Sequence, residues 1–144
     1  MEISEQILTK YNCPKRFNKS FLNVEEIESV IGFNLPTEYK TYLQNFLGFE
    51  DNIGKEFVRL WSFEELLEAN EDYGILENLP KTLGIGGNGS GEFIAMEFND
   101  TANYRIVLSP FIDLDKKYHI EIGSSFTDFL LRLDNGQEWF AKNN

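Results

Sequence analysis

The spacing of apolar residues changes once along this chain, and that change constrains the fold more than any other feature of the sequence. Before Leu79-Pro80 the apolar residues recur every three or four positions, which is typical of amphipathic helices. Beyond this point apolar and polar residues alternate in short consecutive runs, which indicates strands that pair antiparallel. Helices, then a strand meander, then a last helix predict an α+β fold, with a mostly antiparallel sheet and helices packed on it.

Caps and apolar stripes place the individual elements. Helices are predicted at residues 3–11, 24–31 and 36–47, and a further helix begins at Ser62, which forms a capping box with Glu65. Strands are predicted at residues 57–61, 92–98, 104–108, 111–114 and 118–122. Ser125 and Asp128 cap the last helix, which ends before Asn135-Gly136.

The composition fits one globular domain over residues 1–144. Apolar residues make up 42% of the 144 residues, which is too many for intrinsic disorder and enough, at this length, for a hydrophobic core. No stretch approaches the roughly 18 apolar residues of a membrane span, and the first residues do not resemble a signal peptide. We therefore expect a soluble, cytoplasmic protein with no membrane partner.

The net charge of −11 constrains the partners of the protein. An acidic surface repels phosphate backbones, so a nucleic-acid partner is disfavoured, whereas a basic protein would be attracted. The residues predicted to contact such a partner are all acidic: Glu64, Glu65, Glu68, Glu92, Glu97, Asp100, Asp113 and Asp115. The ordinary interpretation of these carboxylates is a solvated surface.

Several motifs invite a catalytic or cofactor-binding interpretation, and each has a simpler one. Gly84-Ile85-Gly86-Gly87-Asn88-Gly89 matches the glycine pattern of dinucleotide sites, but a strand pattern follows it instead of a helix, so we predict a glycine-rich connection between strands. Asp113 and Asp115 share one face of a predicted strand and could hold a cation, although adjacent lysines favour a charged hairpin tip.

The single histidine and the single cysteine also lack a catalytic context. His119 alternates with apolar neighbours and is predicted to face solvent, without a serine or cysteine motif to act on. Cys13 is interpreted as a plain buried or half-buried thiol. One cysteine and one histidine exclude a disulfide framework and the usual zinc clusters, so we expect no catalytic residue, metal or cofactor. An enzyme using Asp113, Asp115 or His119 is the least favoured function.

The order of three segments resembles the SUKH superfamily, which includes the yeast cell-wall glucan-synthesis regulator and many bacterial toxin-immunity proteins. The most specific segment is a helix, Leu35-Pro36-Thr37-Glu38-Tyr39 and a second helix that ends at Gly48. The glycine-rich segment 83–91 and the segment 122–130 before the last helix follow in the same order. Together they cover about residues 24–133.

The resemblance implies an α+β binding protein without catalytic residues or a cofactor. It implies two possible roles. The first is an immunity-type protein that neutralises a basic toxin domain, and the second is a regulator or scaffold in cell-wall glucan or polysaccharide synthesis. The sequence leaves open the identity of the partner, the binding face, the oligomeric state and any function of the loop at Gly84 to Gly91.

Overall fold

The computed structural model describes residues 2–17, 22–99 and 103–140. In these ranges it contains six α-helices, a short 3-10 helix at Lys116–Tyr118 and one six-stranded sheet. The helices are α1 (Ile3–Lys10), α2 (Val24–Ile31), α3 (Thr37–Asn45), α4 (Phe63–Asp72), α5 (Ile75–Asn78) and α6 (Phe126–Asp134). The strands are β1 (Phe49–Ile53), β2 (Glu56–Leu60), β3 (Thr82–Gly87), β4 (Glu92–Phe98), β5 (Tyr104–Pro110) and β6 (Ile120–Gly123).

The sheet is a sequential meander. Its strand order is β1-β2-β3-β4-β5-β6, and every pair is antiparallel. The predicted α+β class, with helices on a mostly antiparallel sheet, is therefore confirmed. Helices α4 and α5 contact β3, whereas α6 contacts β1, β5 and β6.

The predicted helix caps account for two of the helix starts. At α4, Ser62 Oγ accepts a hydrogen bond from Glu65 N at 3.3 Å, and Glu65 Oε1 accepts one from Ser62 N at 3.1 Å. At α6, Ser125 Oγ accepts a hydrogen bond from Asp128 N at 3.0 Å. Each cap satisfies backbone N–H groups that lack a partner within the helix.

The core joins α3 and α6 to the sheet through aromatic side chains. The Phe126 ring lies 5.2 Å from Tyr39 and 5.6 Å from Tyr42, measured between ring centroids. A buried phenol is more stable when its hydroxyl has a hydrogen-bond partner. Tyr42 Oη has one, because it donates a hydrogen bond of 2.7 Å to Trp61 O at the end of β2.

The sheet differs from the strand predictions at two positions and contains one strand that was not predicted. Residues 111–114 form no strand, because the chain turns after Pro110 and the Phe111 ring packs against other aromatic rings. The glycine run was predicted to connect strands, but Gly84 to Gly87 lie inside β3, and only the turn beyond Gly87 connects it to β4. Strand β1 was not predicted, since only its two end residues are buried and no alternation is visible.

Candidate functional site

Three segments that are distant in sequence meet at one end of the sheet: α4, the turn between β3 and β4, and the connection between β5 and β6. The Phe111 N–H donates a hydrogen bond of 3.0 Å to Gly91 O, which ties the β5–β6 connection to the β3–β4 turn. The rings of Tyr73 and Phe111 lie 4.6 Å apart, which ties that connection to the end of α4. Tyr73 also stacks on Trp61, with ring centroids 6.1 Å apart and planes 8° apart.

A shallow groove of about 410 Å³ runs along α4 beside these rings, and we call it the α4 groove. It is lined by Arg59, Trp61, Glu64, Glu65, Glu68, Ala69, Asp72 and Tyr73. The groove is acidic because several acidic residues of α4 are spaced four apart, and residues with this spacing lie on one face of a helix. Glu64, Glu68 and Asp72 therefore form one exposed row, while Leu66 and Asn70 lie on the buried face of α4.

Two of the carboxylates in the α4 groove are neutralised by arginine. Both oxygens of Glu64 accept hydrogen bonds from Arg16, at 2.6 and 2.8 Å, and these bonds lower the pKa of Glu64. Glu65 contributes to the capping box and contacts Arg59 at 3.4 Å. Glu68 and Asp72 form no ion pair within the part of the chain that the structure describes. These two carboxylates are available to an external cation.

Three of the other predicted acidic residues lie toward the same end of the sheet. Glu92 begins β4 beside the turn and accepts a hydrogen bond of 3.0 Å from Asn88 Nδ2. Asp113 is exposed on the β5–β6 connection. Asp115 caps the 3-10 helix, accepting a hydrogen bond of 3.0 Å from Lys117 N. That they contact a partner remains a prediction.

Glu97 lies elsewhere, near the other end of β4, and its side chain is only 16% exposed. Burial opposes its ionisation, but hydrogen bonds from His119 and from Arg105, the latter at 3.0 Å, outweigh this and lower the pKa of Glu97. A carboxylate satisfied in this way has little left to offer a partner. Asp100 lies outside the described residues.

The prediction that His119 faces solvent is wrong. Its side chain is fully buried, and Nδ1 contacts the Glu97 carboxylate. The 3-10 helix that precedes β6 accounts for the difference, because it ends at Tyr118, where the predicted strand begins, and Tyr118 and Ile120 are exposed instead. The histidine therefore links the β5–β6 connection to β4.

The remaining chemical motifs do not assemble into a site. No group of three or more histidine, cysteine or acidic residues is arranged to hold a metal ion among the described residues. The Cys13 thiol is buried and donates to Gly48 O at 3.3 Å, and burial raises its pKa to about 12, so it is a poor nucleophile. The glycine motif is followed by a turn and by β4, so no helix begins directly after it as in a dinucleotide site.

The sequence that forms these helices and this strand meander matches a known protein family. The profile of the SMI1 / KNR4 family (SUKH-1) matches residues 21–132, which is more than half of the chain. The chain belongs to this family. The resemblance drawn from the Leu-Pro-x-x-Tyr element is thereby confirmed, and so is the fold it implied. No curated protein matches the chain closely enough to count as a relative.

Membership of the SUKH-1 family fits a non-enzymatic role in binding another protein, as an immunity protein or a regulator. In the described ranges, no helix of this SUKH-1 chain has both the length and the apolarity needed to cross a membrane.

The predicted contact residues include three carboxylates of the α4 groove, Glu64, Glu65 and Glu68, but neither Asp72 nor the aromatic residues beside them. Glu64 and Glu68 are recognisable because an acidic, helical run surrounds them. Tyr73 and Phe111 carry no such local signal, since their contact joins the residue after α4 to the residue after β5. Only the fold of this SUKH-1 chain brings the aromatic and acidic residues onto one surface.

Proposed function

We propose that this SUKH-1 protein is an immunity-type protein that binds a basic toxin domain and blocks its active surface. The observation that carries the proposal is the α4 groove, where Glu68 and Asp72 lie beside the half-exposed Tyr73 without an ion pair to any residue that the structure describes. Carboxylates attract lysine and arginine, and an aromatic ring adds a cation–π contact worth about 0.5–1 kcal/mol at an exposed site. The family membership supports a protein partner.

The net charge of −11 supports the same proposal at longer range. Complementary charge accelerates the encounter of two proteins and disfavours wrong partners. Speed matters for neutralisation, because the inhibitor competes with the toxin's substrate. Salt screens exposed charges over about 8–10 Å at physiological ionic strength, so the association should weaken steeply as salt is added.

The test is a tagged pull-down from the native host at low salt, eluted with a salt gradient and followed by mass spectrometry and an activity assay. We expect recovery of a basic toxin domain whose activity this protein suppresses. A double variant, Glu68→Gln with Asp72→Asn, should lower the association rate about tenfold at low salt. The matched control, Glu25→Gln with Glu26→Gln, removes the same charge from an exposed turn of α2 and should have a much smaller effect.

Three results would count against the proposal. Binding that does not depend on salt would exclude steering by charge. Equal effects of the α4 groove variant and the α2 control would show that only the total charge matters. Recovery of wall-synthesis proteins without any inhibition would favour the alternative role, a regulator or scaffold in glucan synthesis.

A further inference from the structure

Two large apolar side chains are exposed in the two segments that the contact between Tyr73 and Phe111 joins. Tyr73 is 52% exposed, and Ile112 is 96% exposed. Tyr73 follows the last turn of α4, and Ile112 follows Phe111, whose ring contacts Tyr73. Exposed apolar groups that cluster in this way mark interaction surfaces more often than isolated ones do.

Contacts with the core fix the ring of Tyr73 and the backbone that precedes Ile112. The Phe111 ring lies between Tyr73, at 4.6 Å, and Phe93, at 5.1 Å, and Phe93 is fully buried. The backbone just before Ile112 is fixed by the hydrogen bond from Phe111 N to Gly91 O. A side chain that is already ordered loses less conformational entropy when a partner covers it, so rigid apolar groups make efficient binding anchors.

The acidic residues on both sides of Tyr73 and Ile112 determine which kind of partner can bind over them. Glu68 and Asp72 precede Tyr73 along α4, and Asp113 follows Ile112. A second copy of this chain would bring carboxylates against carboxylates, which is unfavourable at a net charge of −11. A partner with apolar side chains between lysines and arginines satisfies both the apolar centre and the acidic edges.

We propose that Tyr73 and Ile112 form the apolar centre of the partner-binding surface, and that the partner contributes a segment whose apolar side chains are flanked by lysine and arginine. This inference rests on the proposed function, because it assigns the partner to the same surface. It adds that the carboxylates set attraction and register, whereas the two apolar residues hold the partner once it has docked. The apolar contacts therefore control the dissociation rate.

Two synthetic peptides of about a dozen residues test the inference. Both carry the same lysines and arginines; the first has leucines at its centre, and the second has serines there. Binding to the full chain is measured by isothermal titration at low salt. We expect the leucine peptide to bind about tenfold more tightly than the serine peptide, in keeping with the effect of a buried apolar anchor.

Variants of the protein locate that difference. Ile112→Ser removes an almost fully exposed side chain and should not disturb folding, and Tyr73→Ser removes the half-exposed ring. Each should abolish most of the advantage of the leucine peptide. Ile112→Ser should leave binding of the serine peptide unchanged, whereas Tyr73→Ser should weaken it slightly, because the ring also contacts lysine or arginine. The matched control is Val30→Ser, which alters a residue that is 60% exposed on α2 and should preserve the advantage.

The results separate this inference from the proposed function. Equal binding of both peptides, weakened by Glu68→Gln with Asp72→Asn, would overturn the apolar centre alone. Binding that these two substitutions leave unchanged would overturn the acidic surface as well. Sedimentation that shows a dimer of the wild type, lost in Ile112→Ser, would also overturn the inference, because the surface would then bind a second copy.

Discussion

At the scale of single residues, Asn70 shows how one polar side chain can fix a helix to the sheet. It is fully buried, and its Nδ2 donates to Leu66 O and to Gly84 O, each at 2.8 Å. Its Oδ1 accepts from Gly84 N at 2.7 Å. Because Gly84 has no side chain, Asn70 can approach both backbone groups of β3 directly. The amide thus positions α4, and with it the carboxylates of the α4 groove.

Asn70→Leu should destabilise the protein by about 2–4 kcal/mol, because both backbone groups of Gly84 would be buried without a partner. Urea unfolding followed by circular dichroism measures this loss. Asn78→Leu is the matched control, since Asn78 also donates from Nδ2 to a glycine oxygen, that of Gly74 at 2.7 Å, but at an exposed position. Similar losses for the two variants would show that the contacts of Asn70 with β3 contribute little.

Residue orientation was predictable only where the local period continued unbroken. The glutamates of α4 follow such a period, so their exposure could be read from spacing alone. His119 does not follow such a period. The 3-10 helix before it interrupts the alternation, and its side chain is buried where strict alternation would place it in solvent. The aromatic half of the candidate site was unpredictable for a related reason: ring contacts between distant segments leave no trace in local spacing.

At the scale of elements, β3 is the least expected part of the sheet. It has the sequence Thr-Leu-Gly-Ile-Gly-Gly, yet it pairs with both β2 and β4. Glycine is disfavoured in strands, but it permits a close approach between backbones. At Gly86 this approach is extreme, since a Cβ added there would lie 1.8 Å from Arg59 O on β2. The glycines of β3 therefore allow its backbone to pack closely against neighbouring segments.

Gly86→Ala should therefore destabilise the protein severely, by about 3 kcal/mol or more, because β2 and β3 would have to separate. Thermal unfolding measures the change, and failure to yield folded protein is the same result in stronger form. Gly87→Ala is the control, since its added Cβ would meet Glu92 O at 3.2 Å, which a small shift can relieve. A Gly86→Ala protein as stable as wild type would contradict the assigned close approach.

The elements divide into those with local signals and those without. Capping residues and apolar stripes located α4 and α6, and alternation located β4 and β5, since burial on one face imposes these patterns. Strand β1 has three exposed residues in a row, and β3 has glycines where side chains would alternate. Both strands depend on pairing with neighbours, which no local pattern records.

At the scale of the whole molecule, the excess of acidic residues causes electrostatic repulsion within the folded state. The chain has 24 acidic residues and 13 lysines and arginines. Ion pairs such as that of Lys10 with Asp134, at 2.8 Å, use one charge of each sign and leave this excess unchanged. A high net charge keeps a protein soluble but destabilises its compact state.

Sodium chloride, raised from about 20 mM to about 500 mM, should therefore raise the melting temperature by a few degrees, because it screens the repulsion. Differential scanning calorimetry measures the shift. The variant with Glu68→Gln and Asp72→Asn should show a smaller increase, since it carries two fewer negative charges. A melting temperature that falls with salt would mean that surface ion pairs outweigh the repulsion.

The contact between α1 and α6 joins segments that are far apart in sequence, whereas the strand pairs join segments that are adjacent in sequence. Tyr11 Oη and Lys10 Nζ both bind Asp134, so the first helix docks against the last one. Every strand of the sheet, in contrast, pairs with its immediate successor. During synthesis on the ribosome, each hairpin can close as soon as its second strand emerges, whereas the contact between α1 and α6 must wait until α6 has been translated. Until α6 leaves the exit tunnel, α1 can pack only against earlier segments such as α3, where Asn45 donates a hydrogen bond of 3.2 Å to Glu5.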